Sequence, residues 1–282
     1  MGGRMYLGNQ LVTPVIVAGK PYIGLPLYRV ENGVAAWGVN DFVGDEFNGI
    51  TEIGERGLTG MFFGLLYEAI IGYDPFENLS GTVNFSDLIT IKERGLAVTF
   101  YDAEITNAYF PKLETIEEHG LDTAFGRTPI EDIDFHSLKT VGDYGMYCTF
   151  FGARDESFPK NDIVFDSLEY VGECGMQQTF DGCSFDKNVS FPKLKTIKAN
   201  GLNSCFGNCY PSNIYFNALT TSSFVGGNNQ LAGLVSSYQE EYVVTIHFPS
   251  NLQSTISGLT GYPLFGGTSG YVTLAFDLPA TS

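Results

Sequence analysis

The order of hydrophobic and polar positions repeats along most of this chain. Each copy opens on a short apolar-polar alternation that ends at a phenylalanine, the pattern of a β-strand with one buried face. A leucine follows three residues later, an isoleucine or valine three residues after that, and then a glycine, a leucine or methionine and a second phenylalanine. The full copies read VNFSDLITIKERGLAVTF from Val83, AYFPKLETIEEHGLDTAF from Ala108, IDFHSLKTVGDYGMYCTF from Ile133, IVFDSLEYVGECGMQQTF from Ile163 and VSFPKLKTIKANGLNSCF from Val189.

The spacing of the copies predicts a solenoid. The first phenylalanine stands at 85, 110, 135, 165, 191 and 216, so the copies are 25 or 26 residues long except for a step of 30 after Phe135. One coil cannot bury its own apolar side, whereas stacked coils enclose a continuous core. We therefore expect a mainly β, leucine-rich-repeat solenoid with coils of about 25 residues, repeated apolar residues in the core, and positive φ at the repeat glycine.

The two ends of the chain depart from the repeat and predict β caps, because terminal coils would otherwise expose core and strand edges. Residues 1–45 form the predicted N-terminal cap, in which LPLYRV and VAAWGV flank an Asn32-Gly33 turn as in a β-hairpin. Residues 46–225 form the solenoid. Residues 226–282 form a C-terminal repeat and β cap that ends in the strand YVTLAFDL.

Two segments, FPKLETIEEHGL from Phe110 and FPKLKTIKANGL from Phe191, resemble the BspA-like leucine-rich repeat family. The usual pattern of that family has Ala-Phe where this chain has Gly-Leu or Gly-Met, and a C-x-x-L node where this chain has phenylalanine. The resemblance covers roughly residues 50–225. It implies the solenoid, and it associates the chain with bacterial surface adhesins and with proteins carried by phages and prophages.

The opening MYLGNQLVTPVIV and the closing GLTGYPLFGGTSGYVTLAFDLPAT resemble segments of phage-associated and prophage-associated proteins. We read no secretory signal at the N-terminus, since polar residues interrupt its apolar stretch. These features favour a virion component made in the bacterial cytoplasm. The alternative location is the bacterial cell surface or the medium.

Composition narrows the classes of partner. The chain has 15 basic and 32 acidic residues, a net charge of −17, and no basic run, which argues against nucleic acid as a partner. No stretch approaches the roughly 18 apolar residues of a membrane helix, so we expect no membrane insertion. A homo-oligomer is left open.

The sequence contains few motifs that indicate catalysis, cofactor binding or metal binding. No nucleotide loop or nucleophile motif is present, and His119, His136 and His247 occupy unrelated repeat positions, so we expect no enzyme activity and no cofactor. A carboxylate ladder stands two residues before the repeat glycine. We expect its members to face solvent or cap turn amides; a row of weak Ca²⁺ sites is the alternative, but no metal site is assigned. The ladder comprises Glu55, Glu93, Glu118, Asp143 and Glu173.

Cys183 and Cys209 each lie three residues after the second phenylalanine of adjacent copies. Stacked coils would bring their Cα atoms within disulfide range, and a free thiol pair is the alternative in a reducing compartment. Cys148, Cys174 and Cys205 fall at other repeat positions, where we expect small buried side chains.

The loops after each second phenylalanine vary in length and sequence, and such loops are where solenoids bind. They mix aromatic and polar side chains, which suit contact with protein or carbohydrate. We expect a non-enzymatic virion protein of a phage or prophage that meets a neighbouring virion protein or a host-surface protein or glycan; a BspA-like surface adhesin or interaction module is the alternative. The candidate binding residues are Tyr101, Tyr109, Arg127, Phe151, Arg154, Asp155, Phe158 and Tyr210.

Overall fold

The structure is a computed structural model of the chain. It describes residues 47–60, 62, 80–153, 158–183, 186–236, 242–263, 265–267 and 271–281, and the backbone of seven short strands between residues 5 and 43. Two of the predicted binding residues, Arg154 and Asp155, lie outside the described residues.

The predicted mainly β solenoid is confirmed: about seven turns of roughly 26 residues stack through parallel strands. Every full coil has a first strand that ends at the first phenylalanine or one residue before it, a second strand that carries the isoleucine or valine, and a run of tight turns that leads to the second phenylalanine. Since equivalent residues pair in register, for example Ile91 with Ile116, each side chain lies beside its counterpart in the next coil.

The first strands form two parallel sheets. One sheet contains β7 (Asp41–Val43), β9 (Ser80–Asn84), β11 (Glu104–Tyr109) and β13 (Asp132–Asp134). The other contains β15 (Ile163–Val164), β17 (Val189–Phe191), β20 (Asn213–Phe216), β22 (Val244–Pro249) and β23 (Val272–Leu278).

The second strands form one unbroken parallel ladder through the same coils. Its members are β8 (Ile50–Ile53), β10 (Thr90–Ile91), β12 (Thr115–Ile116), β14 (Thr140–Val141), β16 (Tyr170–Val171) and β18 (Thr196–Ile197). A short parallel pair, β19 (Phe206–Gly207) and β21 (Val235–Ser236), continues the turn side. One helical turn, Gln253–Ile256, lies in the coil between β22 and β23.

The strands near the N-terminus pair in antiparallel fashion. They are β1 (Met5–Leu7) with β2 (Gln10–Val12), β3 (Val15–Val17) with β4 (Lys20–Tyr22), and β5 (Tyr28–Glu31) with β6 (Val34–Trp37). Glu31 pairs with Val34 at the end of the last of these pairs, and the predicted Asn32-Gly33 turn itself lies outside the described residues. Because β3 also pairs with β8, this segment covers the first edge of the second-strand sheet.

Two ladders of stacked phenylalanine rings fill the core. Ring centroids within the ladders are 4.2–6.4 Å apart, and edge-to-face contacts such as Phe110 with Phe125 at 6.1 Å join one ladder to the other. Stacked and edge-to-face arrangements both suit the quadrupoles of aromatic rings. The first ladder is Phe47, Phe85, Phe110, Phe135, Phe165, Phe191, Phe216, Phe248 and Phe276. The second is Phe62, Phe100, Phe125, Phe150, Phe180 and Phe206.

The repeat glycine is required for a steric reason and not for the predicted backbone conformation. Positive φ falls on the residue before it, for example His119 at 53° before Gly120, so the expected positive φ at the glycine is wrong. A Cβ on Gly120 would instead lie 2.7 Å from Cγ2 of Ile116, closer than real Cβ contacts come. The glycine makes room for the β-branched side chain of the second strand, and His119 donates its backbone N–H to Asp143 O of the next coil at 3.1 Å.

Truncation of one central phenylalanine should show how much the ladders contribute to the free energy of unfolding. We expect Phe150→Ala to lower the free energy of unfolding by about 3–5 kcal/mol, because it leaves a cavity between the rings of Phe125 and Phe180. Phe151→Ala is the matched control, since this side chain is 39% exposed and its loss should cost only about 1 kcal/mol. Equal losses in urea titrations of the two variants would contradict the assignment of Phe150 to the core.

The steric account of the repeat glycine also makes a prediction. Gly120→Ala should destabilise the protein by about 1–3 kcal/mol, because the new methyl group overpacks against Ile116. In Gly258→Ala the methyl group meets nothing closer than Thr255 O at 3.4 Å, so this control should be close to neutral. Thermal and urea unfolding of both variants provide the test, and a neutral Gly120→Ala would refute the close approach.

Candidate functional site

The outer side of the first strands forms a polar surface along the solenoid. We call it the polar face and define it by the residues one and three positions before each first phenylalanine. Hydrogen bonds run along it from coil to coil: Asn213 Nδ2 donates to Asn188 Oδ1 at 2.8 Å, and Asn188 Nδ2 donates to Asp162 Oδ2 at 3.0 Å. Its members are Thr82, Asn84, Asn107, Tyr109, Asp132, Asp134, Asp162, Val164, Asn188, Ser190, Asn213 and Tyr215.

The polar face is interrupted at the long copy. Strand β13 pairs with β11 and β15 pairs with β17, but β13 and β15 do not pair with each other. The rings of Phe135 and Phe165 are correspondingly 6.4 Å apart, whereas each lies 5.1 Å from its other neighbour in the ladder. The second strands of the same two coils remain paired, so the coils separate on one side only.

A cleft of about 150 Å³ occupies this gap. Its floor includes Ile133, Phe135, Ile163 and Phe165, and the rest of its lining is polar apart from Pro159 and Val164. The cleft therefore combines apolar surface with oxygen-bearing side chains. The polar side chains that line it are those of Asp132, Asp134, Asn161 and Asp162.

The backbone walls of the cleft have lost their regular partners. Phe110 N–H donates to Asp134 O at 3.0 Å, and Phe165 N–H donates to Ser190 O at 3.0 Å. Within the described chain no equivalent bond joins Phe135 N–H to Val164 O. The two walls thus offer main-chain hydrogen-bonding groups in addition to the side chains.

At the end of the long loop, residues on the two sides of the gap are in contact. Lys160 N–H donates to Glu131 O at 3.1 Å, and the two side chains form an ion pair. Lys160 therefore holds the end of the long loop against the neighbouring coil before β15 begins, and Pro159 and Asn161 line the cleft beside it.

The carboxylates of the cleft accept hydrogen bonds from neutral groups and one histidine. Tyr109 OH donates to Asp132 Oδ2 at 3.4 Å, Asn188 N–H donates to Asp162 Oδ1 at 3.0 Å, and His136 Nδ1 lies 2.6 Å from Asp134 Oδ1. Among the described residues none of the three carboxylates has a lysine or arginine partner. Burial and the charge of Asp132 raise the pKa of the Tyr109 hydroxyl, so this group stays a neutral donor.

The charged residues directly before and after the second strands form a surface of their own, which we call the second-strand surface. Its charge pairing differs from that of the polar face. There, lysines and glutamates of successive coils alternate, with Lys139 Nζ 2.8 Å from Glu114 and Lys195 Nζ 2.9 Å from Glu169. Lys195 accordingly lowers the pKa of the Glu169 carboxyl. Within the described part of the chain, no lysine or arginine contacts the three carboxylates of the cleft; Lys160, which pairs with Glu131, is near enough to act on Tyr109.

The predicted binding residues occupy several places. Tyr109 stands on the polar face beside the cleft, whereas Tyr101 lies over Gly126, where a Cβ would meet its ring at 2.8 Å. Arg127 Nε is 3.7 Å from Asp102 Oδ1, and Phe151 is exposed. The ring of Tyr210 stacks on that of Tyr242, with centroids 4.4 Å apart.

Phe158 corrects the sequence prediction. It was expected on a surface loop, but its side chain is fully buried, with its ring centroid 5.9 Å from Phe150 and 6.3 Å from Phe180. The extra residues of the long copy therefore add a ring to the core. Sequence reasoning instead missed Asp132, Asp134, Asn161 and Asp162, although the step of 30 residues marked their location.

The carboxylate ladder before the repeat glycine has two environments. Glu118 and Glu173 are exposed, whereas Asp143 Oδ1 accepts a hydrogen bond from Glu173 N–H at 2.8 Å. These are the solvent-facing and amide-capping roles expected from the sequence. No group of three ligating side chains that could hold a metal ion occurs among the described residues.

Cys183 and Cys209 are buried free thiols in adjacent coils. Cys183 Sγ donates to Phe150 O at 3.2 Å, and Cys209 Sγ donates to Phe180 O. Burial and then the hydrogen bond with Cys183 raise the pKa of the Cys209 thiol. The two thiols are neighbours, as the spacing predicted, and no S–S bond joins them in the structure.

Comparison with known proteins gave no relative: no family model, no curated protein and no solved structure matched this chain. In the part of the chain that the structure describes, no helix is long and apolar enough to cross a membrane.

The buried thiols predict that the free energy of unfolding falls at alkaline pH. Burial raises the pKa of Cys148 to about 11 from an ordinary value of 9.0, and it raises that of Cys205 further. The folded state favours the protonated thiols, so their contribution is complete below pH 9 and is lost as the pH rises toward 11. We expect the urea-derived free energy of unfolding to fall over this interval, and less steeply in Cys148→Ser. A loss confined to pH values below 9 would contradict this origin.

Proposed function

We propose that this chain is a non-enzymatic structural and binding protein whose solenoid holds the polar face toward a partner macromolecule. The observation that carries the proposal is the cleft between Asp132 and Asp162, where an otherwise regular surface is opened by the one long copy. Two stacked ladders of buried rings support the walls of the cleft. A surface on such a rigid support loses little conformational freedom on binding, which favours affinity.

The placement of the histidines supports a role outside catalysis. His119 Nδ1 lies 2.8 Å from Asp122 Oδ2 on the turn side, whereas His136 and His247 pair with Asp134 and Asp277. Each imidazole is thus engaged with its own carboxylate, and the three stand in different coils. This arrangement favours local structural roles for the histidines.

We further propose that the protein is a virion component of a phage or prophage, in a tail or another appendage, and that the polar face contacts a neighbouring virion protein or a host-surface ligand. The support is the resemblance of the opening MYLGNQLVTPVIV and of the closing segment to phage-associated proteins. The alternative is a bacterial surface adhesin, which the BspA-like segments from Phe110 and Phe191 favour.

Mass spectrometry of purified particles from the source tests the virion proposal. A structural component should be present in stoichiometric amounts relative to known virion proteins, and it should remain after particles are washed at high salt. Detection on cells or in the medium together with absence from particles would refute the virion role and support the adhesin. The control is a cytoplasmic protein of the same host, which should be depleted from the particles.

A further inference from the structure

The balance of charge on the polar face indicates the chemistry of its partner. Lysines neutralise the carboxylates of the second-strand surface, for example Lys92 with Glu117 at 2.7 Å and Lys139 with Glu114 at 2.8 Å. In the cleft, Asp132, Asp134 and Asp162 lack such partners among the described residues. The missing complement is positive charge, which an interacting molecule can supply.

The interior of the cleft fits the end of one long cationic side chain. Its volume of about 150 Å³ corresponds to about five water molecules, and its floor is apolar while its rim carries carboxylates. Arginine and lysine combine an apolar stem with a charged head, so they bury the stem on such a floor and keep the head among acceptors. The exposed side chain of Val164, 40% accessible, extends the apolar surface at the rim.

We propose that the polar face around the cleft binds a basic extended segment of a partner protein and that one arginine or lysine side chain enters the cleft. This inference rests on the proposed binding function and names its partner. The guanidinium group of arginine fits best, because it offers five donors in a planar fork and the polar side chains of the cleft are mainly acceptors.

Charge also argues against three other occupants. A second copy of this chain carries the same net charge of −17 and would be repelled, and anionic polymers would be repelled equally. A neutral glycan could hydrogen-bond to Asn161 or Asn188, but it would leave the carboxylates of the cleft without a counter-charge. The positive partner is the one that the observed charge distribution complements.

Binding of synthetic peptides tests the proposal. The probe is a short fluorescent peptide of alternating serine and arginine, and its control replaces every arginine with citrulline, which has a similar shape and no charge. We expect the arginine peptide to bind the full chain by anisotropy and the citrulline peptide to bind at least about tenfold more weakly. Binding should weaken as the ionic strength is raised to about 0.15 M, because partly exposed charges are screened.

Charge-matched variants locate the binding. Asp132→Asn combined with Asp162→Asn should weaken the arginine peptide at least about tenfold, whereas Glu118→Gln combined with Glu173→Gln, which removes the same charge from the turn side, should change affinity less than about twofold. Val164→Arg, which supplies a cation at the exposed rim, should also weaken binding. This variant keeps the test valid if the aspartate variant folds poorly.

The outcomes separate this inference from the proposed function. Equal weakening by both charge-matched pairs, or unchanged binding in Val164→Arg, would overturn the cleft as the site. Failure of the wild type to bind the arginine peptide, with the chain present in particles, would overturn the basic partner and leave the virion role intact. Specific peptide binding by a chain that is absent from particles would support the cleft while refuting the virion role.

Discussion

The fold depends on the stacking of equivalent side chains from coil to coil. In parallel strands that lie about 4.8 Å apart, each residue must be compatible with the same residue type directly above and below it. Phenylalanine satisfies this condition for apolar positions, since Phe165 and Phe191 stack at 5.1 Å with planes 3° apart. The same condition explains the glycine beside Ile116: the interior is filled so completely that the adjacent turn has no room for a Cβ.

Charged residues on the surface must also be compatible with their counterparts in the neighbouring coils. Like charges stacked in register repel, and the second-strand surface avoids this by alternating sign along Glu114, Lys139, Glu169 and Lys195. On the turn side, where carboxylates recur, Asp143 turns to accept the N–H of Glu173. The polar face mixes neutral amides with carboxylates, so its hydrogen bonds continue from coil to coil, while beside the break the carboxylates have no lysine or arginine partner among the described residues.

The sequence predicts those parts of the fold that stacking repeats, and it predicts poorly what happens where the repeat changes. The inward positions of Phe110, Ile116 and Phe125 follow from their recurrence, and all three are buried. The glycine position was recognised, but a small residue can be required either by φ or by a neighbour, and spacing does not distinguish these causes. Phe158 resembled an exposed aromatic because it lies in a polar insertion with no counterpart in the other copies.

The cleft shows why an insertion in a solenoid acts on one side only. The extra residues lie between the second phenylalanine of one coil and the first strand of the next, so the second strands and the turns keep their register through Thr140 and Tyr170. The first strands are where the coils differ: Phe158 enters the core, and β13 does not pair with β15. A change in loop length is thereby converted into a local opening with polar walls and an apolar floor. Because the neighbouring coils hold both walls through their own ladders, the opening has a defined shape, and a defined shape is what a binding site needs.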